Sequence, residues 1–408
     1  MVCRTVPSLL IAILAGCSSG AEPPAPAKPP SGSGSLHRPS GQDRPADGAA
    51  LVVTVAGISR LSGRYWNGDT ILLPPAHKVT VRFLGAAAAL RISDRRLWTG
   101  SGGSLGEAVE DRQQLFTPQL PGQSFALKQG PGKETLGFRV HILHEAEMTR
   151  NRKLGTTRLK VGGSIIGTYP NPRTARSWRV RMHARFFKPP RYWMRITAGN
   201  QQQQLAPHVQ MGQMVGFITE KDKTRPKRRH SSWFPPNREL VYSLELLTRE
   251  LLRKKVKVSR LAVNSAFRAP FYNRRIGGSS YSRHIYGDAA DVMVDEDGDE
   301  VCDDITGDGR ADHRDGLVIG QAIRKLQLSG AIRPGGIGVY GFIGKDSARS
   351  YSHFDCRGYV TRWGSHYRGR RKLPLEWWPE EEYREDQEPP PEFRSPPPKK
   401  PSAKARVK

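Results

Sequence analysis

Apolar and polar residues alternate in short runs through the first half of the chain. Residues 51–55, 78–83, 138–142, 157–161 and 178–182 each carry the pattern, with Gly, Pro and Asn between them. Successive side chains on a strand point to opposite faces, so a period of two predicts half-buried strands separated by turns. After Lys188-Pro189-Pro190 the period changes. Residues 193–197 read as a strand, 205–214 as a turn entering a helix. Asn237 stands ahead of Leu240, Leu244, Leu247 and Leu251, which fall on one face of a helix that the asparagine caps. Residues 261–267 read as a strand delivering Arg268, and 270–275 as a turn or short helix. Residues 315–328 predict a second helix, and 336–340 and 351–358 the closing strands. The expected class is α+β, with a β-rich domain over 49–187 followed by a mixed domain over 188–374.

The remaining segments lack apolar periodicity. Residues 17–48 are rich in Pro, Gly, Ser and Ala, and 375–408 run from acidic to Pro-rich to Lys-rich. Neither buries enough apolar surface to offset its ordering entropy, so a tether and a tail are expected. Residues 219–231 form a charged loop. Residues 1–16 join Arg4, a short apolar run over 9–14 and Leu14-Ala15-Gly16 ahead of Cys17. That run is too short to span a bilayer and has the form of a secretory leader. Its end is similar to the lipobox of bacterial lipoproteins, which implies a lipid on Cys17, a membrane anchor and, with Ser18 following, the periplasmic side of the outer membrane or the cell surface. The net charge of +27 favours polyanionic partners. Nucleic acid rests on charge alone, and no nucleic-acid motif accompanies it.

The chemistry concentrates in Ser282-Arg283-His284-Ile285-Tyr286-Gly287-Asp288-Ala289-Ala290-Asp291 and, later, Tyr351-Ser352-His353-Phe354-Asp355. Two imidazoles and a carboxylate are a ligand set that catalytic zinc accepts, with a fourth position for water. On an unbroken strand His284 and Asp291 would face opposite ways, so the chain must bend between them, and Gly287 is the residue that permits it. The alternative is a structural pair of histidines with an aspartate.

With Ser265-Ala266-Phe267-Arg268 ahead of it, the pattern Ser282-x-His284-x-x-Gly287-x-Ala289-x-Asp291 followed by His353-Phe354-Asp355 resembles the zinc D-alanyl-D-alanine metallopeptidases and murein endopeptidases. The resemblance covers about 190–365. It implies a hedgehog-like domain with a central antiparallel sheet and flanking helices. It also implies zinc on His284, Asp291 and His353, and a substrate carboxylate or carbonyl on Arg268, beside Ser282. The substrate class it implies is the stem peptide of peptidoglycan. The positions where many members carry a Glu or His base are Ser350 and Tyr351 here. Tyr351, His353 and Asp355 share a strand face. Asp355 is therefore the nearest candidate base or an acceptor orienting a ligand, and Tyr351 a candidate donor to the developing oxyanion. A wall-binding lipoprotein without catalysis is the alternative function.

Asp304, Thr306, Asp308, Asp312 and Asp315 stand at positions 1, 3, 5, 9 and 12 of a loop with Gly309 at position 6, the register of a calcium-binding EF-hand loop with Asp for the final Glu. An insertion over about 295–315 is expected to hold Ca2+. Cys302 and Cys356 are the cysteines left for the folded part, and in an oxidising compartment they are expected to pair.

Overall fold

The computed structural model describes residues 11–14, 51–74, 79–83, 98–101, 104–108, 114–117, 124–129, 136–215, 233–343, 350–368 and 371–374. Cys17 and its tether, the charged loop at 219–231 and the tail from 375 lie outside them. The chain divides into two compact units, 1–141 and 142–408. That division falls ahead of the join expected at Lys188.

The described elements of the first unit are strands and one 3-10 turn. Leu51–Val55 pairs with Val79–Phe83 and Gly63–Tyr65, and Ile11–Leu14 lies parallel to Val79–Phe83. Leu51, Val53 and Val55 are buried while Thr54 is exposed, so alternation does place one face inward.

The second unit is built on a six-stranded sheet. Its strands are β1 (Ala262–Ser265), β2 (Ala289–Met293), β3 (Gly336–Ile343), β4 (Tyr351–Asp355), β5 (Thr361–Arg368) and β6 (Arg371–Pro374), in the order β1-β2-β4-β3-β5-β6. All neighbours are antiparallel except β3 and β5, which run parallel. The sheet is therefore mixed, not purely antiparallel as expected. The cause is the reversal after β4, which sends the chain across β3 to its far side.

Helix α1 (Arg238–Arg253) packs on α3 (His313–Leu328), which lies on β3 and β4, and the short α2 (Pro270–Arg275) follows β1. Asn237 caps α1 by accepting from the Glu239 amide at 3.1 Å, and Leu240, Leu244, Leu247 and Leu251 are buried along its inner side. Ser352 on the same face of β4 donates to the Gly316 carbonyl of α3 at 2.5 Å. Its neighbours Tyr351, His353 and Asp355 thus point to the opposite face.

The first 46 residues of this unit belong with it. Residues 144–145, 192–195 and 233–234 form a small sheet, and 147–151, 156–161 and 164–169 a meander. Trp178–Met182, expected as a strand, is a single helical turn capped by Ser177, which accepts from the Val180 amide at 3.5 Å. The alternation of Trp178, Val180 and Met182 misled because none of the three is buried and no strand pairs with them.

Candidate metal centre

Three elements converge. Residues Arg283–Tyr286 form a 3-10 turn whose C-cap, Gly287, has φ +69°. A β-carbon there would also lie 2.5 Å from Pro235 Cγ, so both backbone and space require glycine, and the bend expected between His284 and Asp291 is made there. The turn brings His284 up to β2. Asp291 on β2 lies opposite His353 on β4, in register, and so on the same face.

The three side chains meet closely and are buried. His284 Nε2 lies 3.1 Å from His353 Nδ1 and 3.2 Å from Asp291 Oδ1, and His353 Nδ1 lies 2.8 Å from the same oxygen. The outer nitrogen of each ring fixes the tautomer. His284 Nδ1 donates to the Ala266 carbonyl at 2.7 Å, and a carbonyl can only accept. His353 Nε2 donates to Asp355 Oδ2 at 3.1 Å. Each neutral ring therefore turns a lone pair inward, and Asp291 supplies a third. Three lone pairs facing one another repel unless a cation lies among them. A proton serves one pair at a time, whereas a metal ion serves all three, so the donor set fits zinc.

The electrostatics of His284 and Asp291 agree with this donor set. Burial lowers the affinity of His284 for a proton, with Arg268 and His353 adding to the effect against Asp291. Burial alone would raise the Asp291 carboxyl, but His284, His353 and Arg268 outweigh it and hold it well below the usual carboxylate range. Burial pushes His353 down, but the hydrogen bonds and charges of Asp291 and Asp355 together outweigh it and raise the ring's affinity for a proton, so a metal ion at this site competes with that proton.

Arg268 is placed against Asp291 Oδ2 and donates through Nε to Ser265 Oγ at 2.7 Å. In this arrangement it braces the carboxylate that faces the histidines. Ser282 precedes the turn without capping it. Asp355 accepts from the Gly336 amide at 3.0 Å and from Arg357 Nε at 2.7 Å, in addition to His353. It faces the outer nitrogen of His353, away from the three converging donors, which is the position of an orienting acceptor. Tyr351 stacks on Tyr340 at 4.9 Å.

Two residues that spacing had not singled out support the turn. Arg283, next to His284, is buried and pairs through Nε with Asp288 Oδ1 at 3.0 Å. Its Nη1 donates to the Phe186 carbonyl at 3.1 Å, and its guanidinium sits 4.8 Å over the Phe187 ring and 5.0 Å over Tyr286. An ion pair five residues apart within a turn follows no strand or helix period, so no pattern announces Asp288.

The expected calcium loop does not assemble as a ligand set. Asp304 accepts from the amides of Gly307 at 2.8 Å and Gly309 at 2.6 Å and from the Thr306 hydroxyl at 3.1 Å. Asp308 and Asp312 pair with Arg314, and Asp315 closes a capping box with Asp312 at the start of α3. Among the described residues the acids of this insertion that do converge are Asp295, Asp297 and Asp303.

The expected disulfide is also absent. Cys302 lies beside the Ser350 backbone and Asp315, at the start of β4, whereas Cys356 follows the end of β4 and sits 3.8 Å from Ser243 on α1. Five strand residues span about 16 Å, far beyond the reach of a disulfide. Burial pushes both thiols up, which disfavours thiolate ligands.

No curated protein and no solved structure matches the chain. Residues 237–311 match the family model of peptidase M15, a span that contains Arg268, His284 and Asp291 and ends before His353. Together with the His284–Asp291–His353 cluster, that match supports a zinc-dependent metallopeptidase of the M15 kind.

Proposed function

We propose that the chain is a zinc peptidase of the bacterial wall that hydrolyses an amide bond in peptidoglycan stem peptides. The observation that carries this reading is the inward-facing set of lone pairs on His284, Asp291 and His353, in a unit of which residues 237–311 match peptidase M15. Zinc held there supplies a water of lowered pKa and a Lewis acid for the scissile carbonyl.

The chain's own residues do the rest. Ala266 and Asp355 hold the two rings in the tautomers that present Nε2 and Nδ1. Arg268 holds Asp291, keeps it ionised and stands beside the reacting position, where a substrate carboxylate or carbonyl meets a guanidinium fork. Asp355 is fully engaged with Gly336, Arg357 and His353, so the proton step is not assigned to it. The leader and Cys17 support secretion with a lipid anchor. Among the described residues no helix is long and apolar enough to cross a membrane.

Incubation with purified sacculi tests the reading. Wild type releases muropeptides or free amino acids in a chelator-sensitive manner, and His284→Ala releases none. Release that ignores both chelator and His284→Ala would sink the zinc-peptidase assignment, and sacculus binding with no product from wild type would leave a wall-binding protein without catalysis.

A further inference from the structure

Residues 148–219 carry 13 Lys and Arg and no Asp or Glu, and residues 262–287 carry no acid either. Two tips in these stretches share a composition. Arg152-Lys153-Leu154-Gly155 turns between the first two strands of the meander, and Arg274-Arg275-Ile276-Gly277 ends α2. All four cations are exposed, and among the described residues none of them pairs with a carboxylate. The apolar residue behind each pair is exposed too, Leu154 by 56% and Ile276 by 47%.

Both tips are tied to the segment around Asn171. A β-carbon at Gly155 would run into the Asn171 side-chain amide, so the first turn abuts that residue. Helix α2 starts against the third strand of the meander, where a β-carbon at Gly167 would lie 3.3 Å from Pro270. Asn273 donates to the Ser279 carbonyl at 2.8 Å and folds the loop after α2 back. Tyr281 then donates to the Asn171 carbonyl at 2.8 Å. Arg173, whose amide donates to Asn171 Oδ1 at 3.1 Å, is exposed as well. On the outer face of the meander Lys160 and Ile165 stand in register, both exposed, with exposed Arg158 two residues along the strand.

Tips that are cationic and apolar at once select their partner. A soluble polyanion uses the cations but gains nothing from Leu154 and Ile276. The centre of a protein interface is depleted of charge, whereas each apolar tip here adjoins two cations. An anionic bilayer takes both, since lipid phosphates meet the cations and the acyl boundary takes the apolar side chains. We propose that the turn at 152–155 and the end of α2 dock the chain on an anionic lipid surface, with Leu154 and Ile276 entering the headgroup layer. The contact does not depend on the chemistry of the metal cluster. Tyr281 stands three residues before His284, so docking holds the turn that carries this donor near the membrane.

Sedimentation with vesicles tests it on the full chain carrying Cys17→Ser, so that no lipid on the chain contributes. That chain is expected to bind vesicles of phosphatidylglycerol and phosphatidylcholine, and to bind phosphatidylcholine alone at least about tenfold more weakly. Arg152→Glu with Lys153→Glu weakens binding to the anionic vesicles by about tenfold or more, as two reversed charges near the surface require. Arg274→Glu with Arg275→Glu does the same at the other tip. Lys254→Glu with Lys255→Glu, an equal charge change at exposed residues after α1, leaves binding within about twofold. Leu154→Ser with Ile276→Ser weakens vesicle binding by about tenfold and leaves binding of inorganic polyphosphate within about twofold. Unchanged thermal midpoints separate loss of the surface from loss of the fold. No binding by the Cys17→Ser chain, or equal losses from all three charge reversals, would overturn the proposal. So would vesicle binding that ignores Leu154→Ser with Ile276→Ser, which would leave a surface for soluble polyanions.

Discussion

Around His284, single residues set the geometry. Gly287 carries a positive φ and abuts Pro235, so Gly287→Ala meets both a strained backbone and a steric clash. Its expected cost is about 1–3 kcal/mol, read as a lowered midpoint in thermal unfolding. Arg283→Met strands the buried Asp288 carboxylate without its partner. The expected loss is about 3–5 kcal/mol, and adding Asp288→Leu is expected to restore much of it, since an apolar pair costs less than a lone buried charge. Denaturant titration of the single and double variants checks this. Sequence spacing disclosed His284, Asp291, His353 and the bend at Gly287, because each is tied to a motif or to the period of a strand. It did not disclose Asp288, Arg357 or the lean of Trp363 over Gly338, since those contacts join positions whose proximity only the packed sheet creates.

Helices α1 and α3 are tied by Glu250, which pairs with Arg253 at 2.8 Å on its own helix and with Lys325 of α3 at 3.0 Å. Hydrogen bonding to Arg253, with Lys325 adding, outweighs partial burial and draws the carboxyl down from 4.5 to about 2. A depressed carboxylate contributes stability above its unfolded pKa, and that contribution fades as pH falls from about 4.5 toward 2. Both basic partners are more than half exposed, so solvent screening leaves a contribution of about 1 kcal/mol. Glu250→Gln is therefore expected to be less stable than wild type near neutrality and to lose less on acidification, as acid titration followed by circular dichroism will show. At this scale the helices and the strands around the motifs were legible from period and caps. Strands β5 and β6 were not, because Arg362 is buried within β5, donating to the Gly335 carbonyl at 2.8 Å and to Gln327 at 2.8 Å, and a buried arginine inverts the expected alternation. In the acidic insertion, Asp304 accepts from the Gly307 amide and Asp308 pairs with Arg314, partners that spacing alone does not disclose.

For the molecule as a whole, the site-bearing unit starts at Ile142, and residues 142–187 help to shape the metal centre. The Asn171 carbonyl accepts from the Tyr281 hydroxyl at 2.8 Å, and Phe186 and Phe187 hold Arg283. A chain beginning at residue 142 is expected to bind zinc with an affinity within about threefold of the full chain. One beginning at residue 188 should bind at least about tenfold more weakly or fail to fold, because the turn bearing His284 loses its support. The proline-rich join at Lys188 suggested the later boundary, since composition marks a turn in the chain but carries no record of which side chains pack across it. The central claim is that three inward-facing lone pairs hold a metal ion, and metal analysis tests it most directly. After chelation, reconstitution with excess zinc and removal of the unbound ion, the wild-type chain should retain about one zinc per chain, and the His284→Ala, His353→Ala double variant close to none. Equal zinc contents in the two proteins would contradict the account.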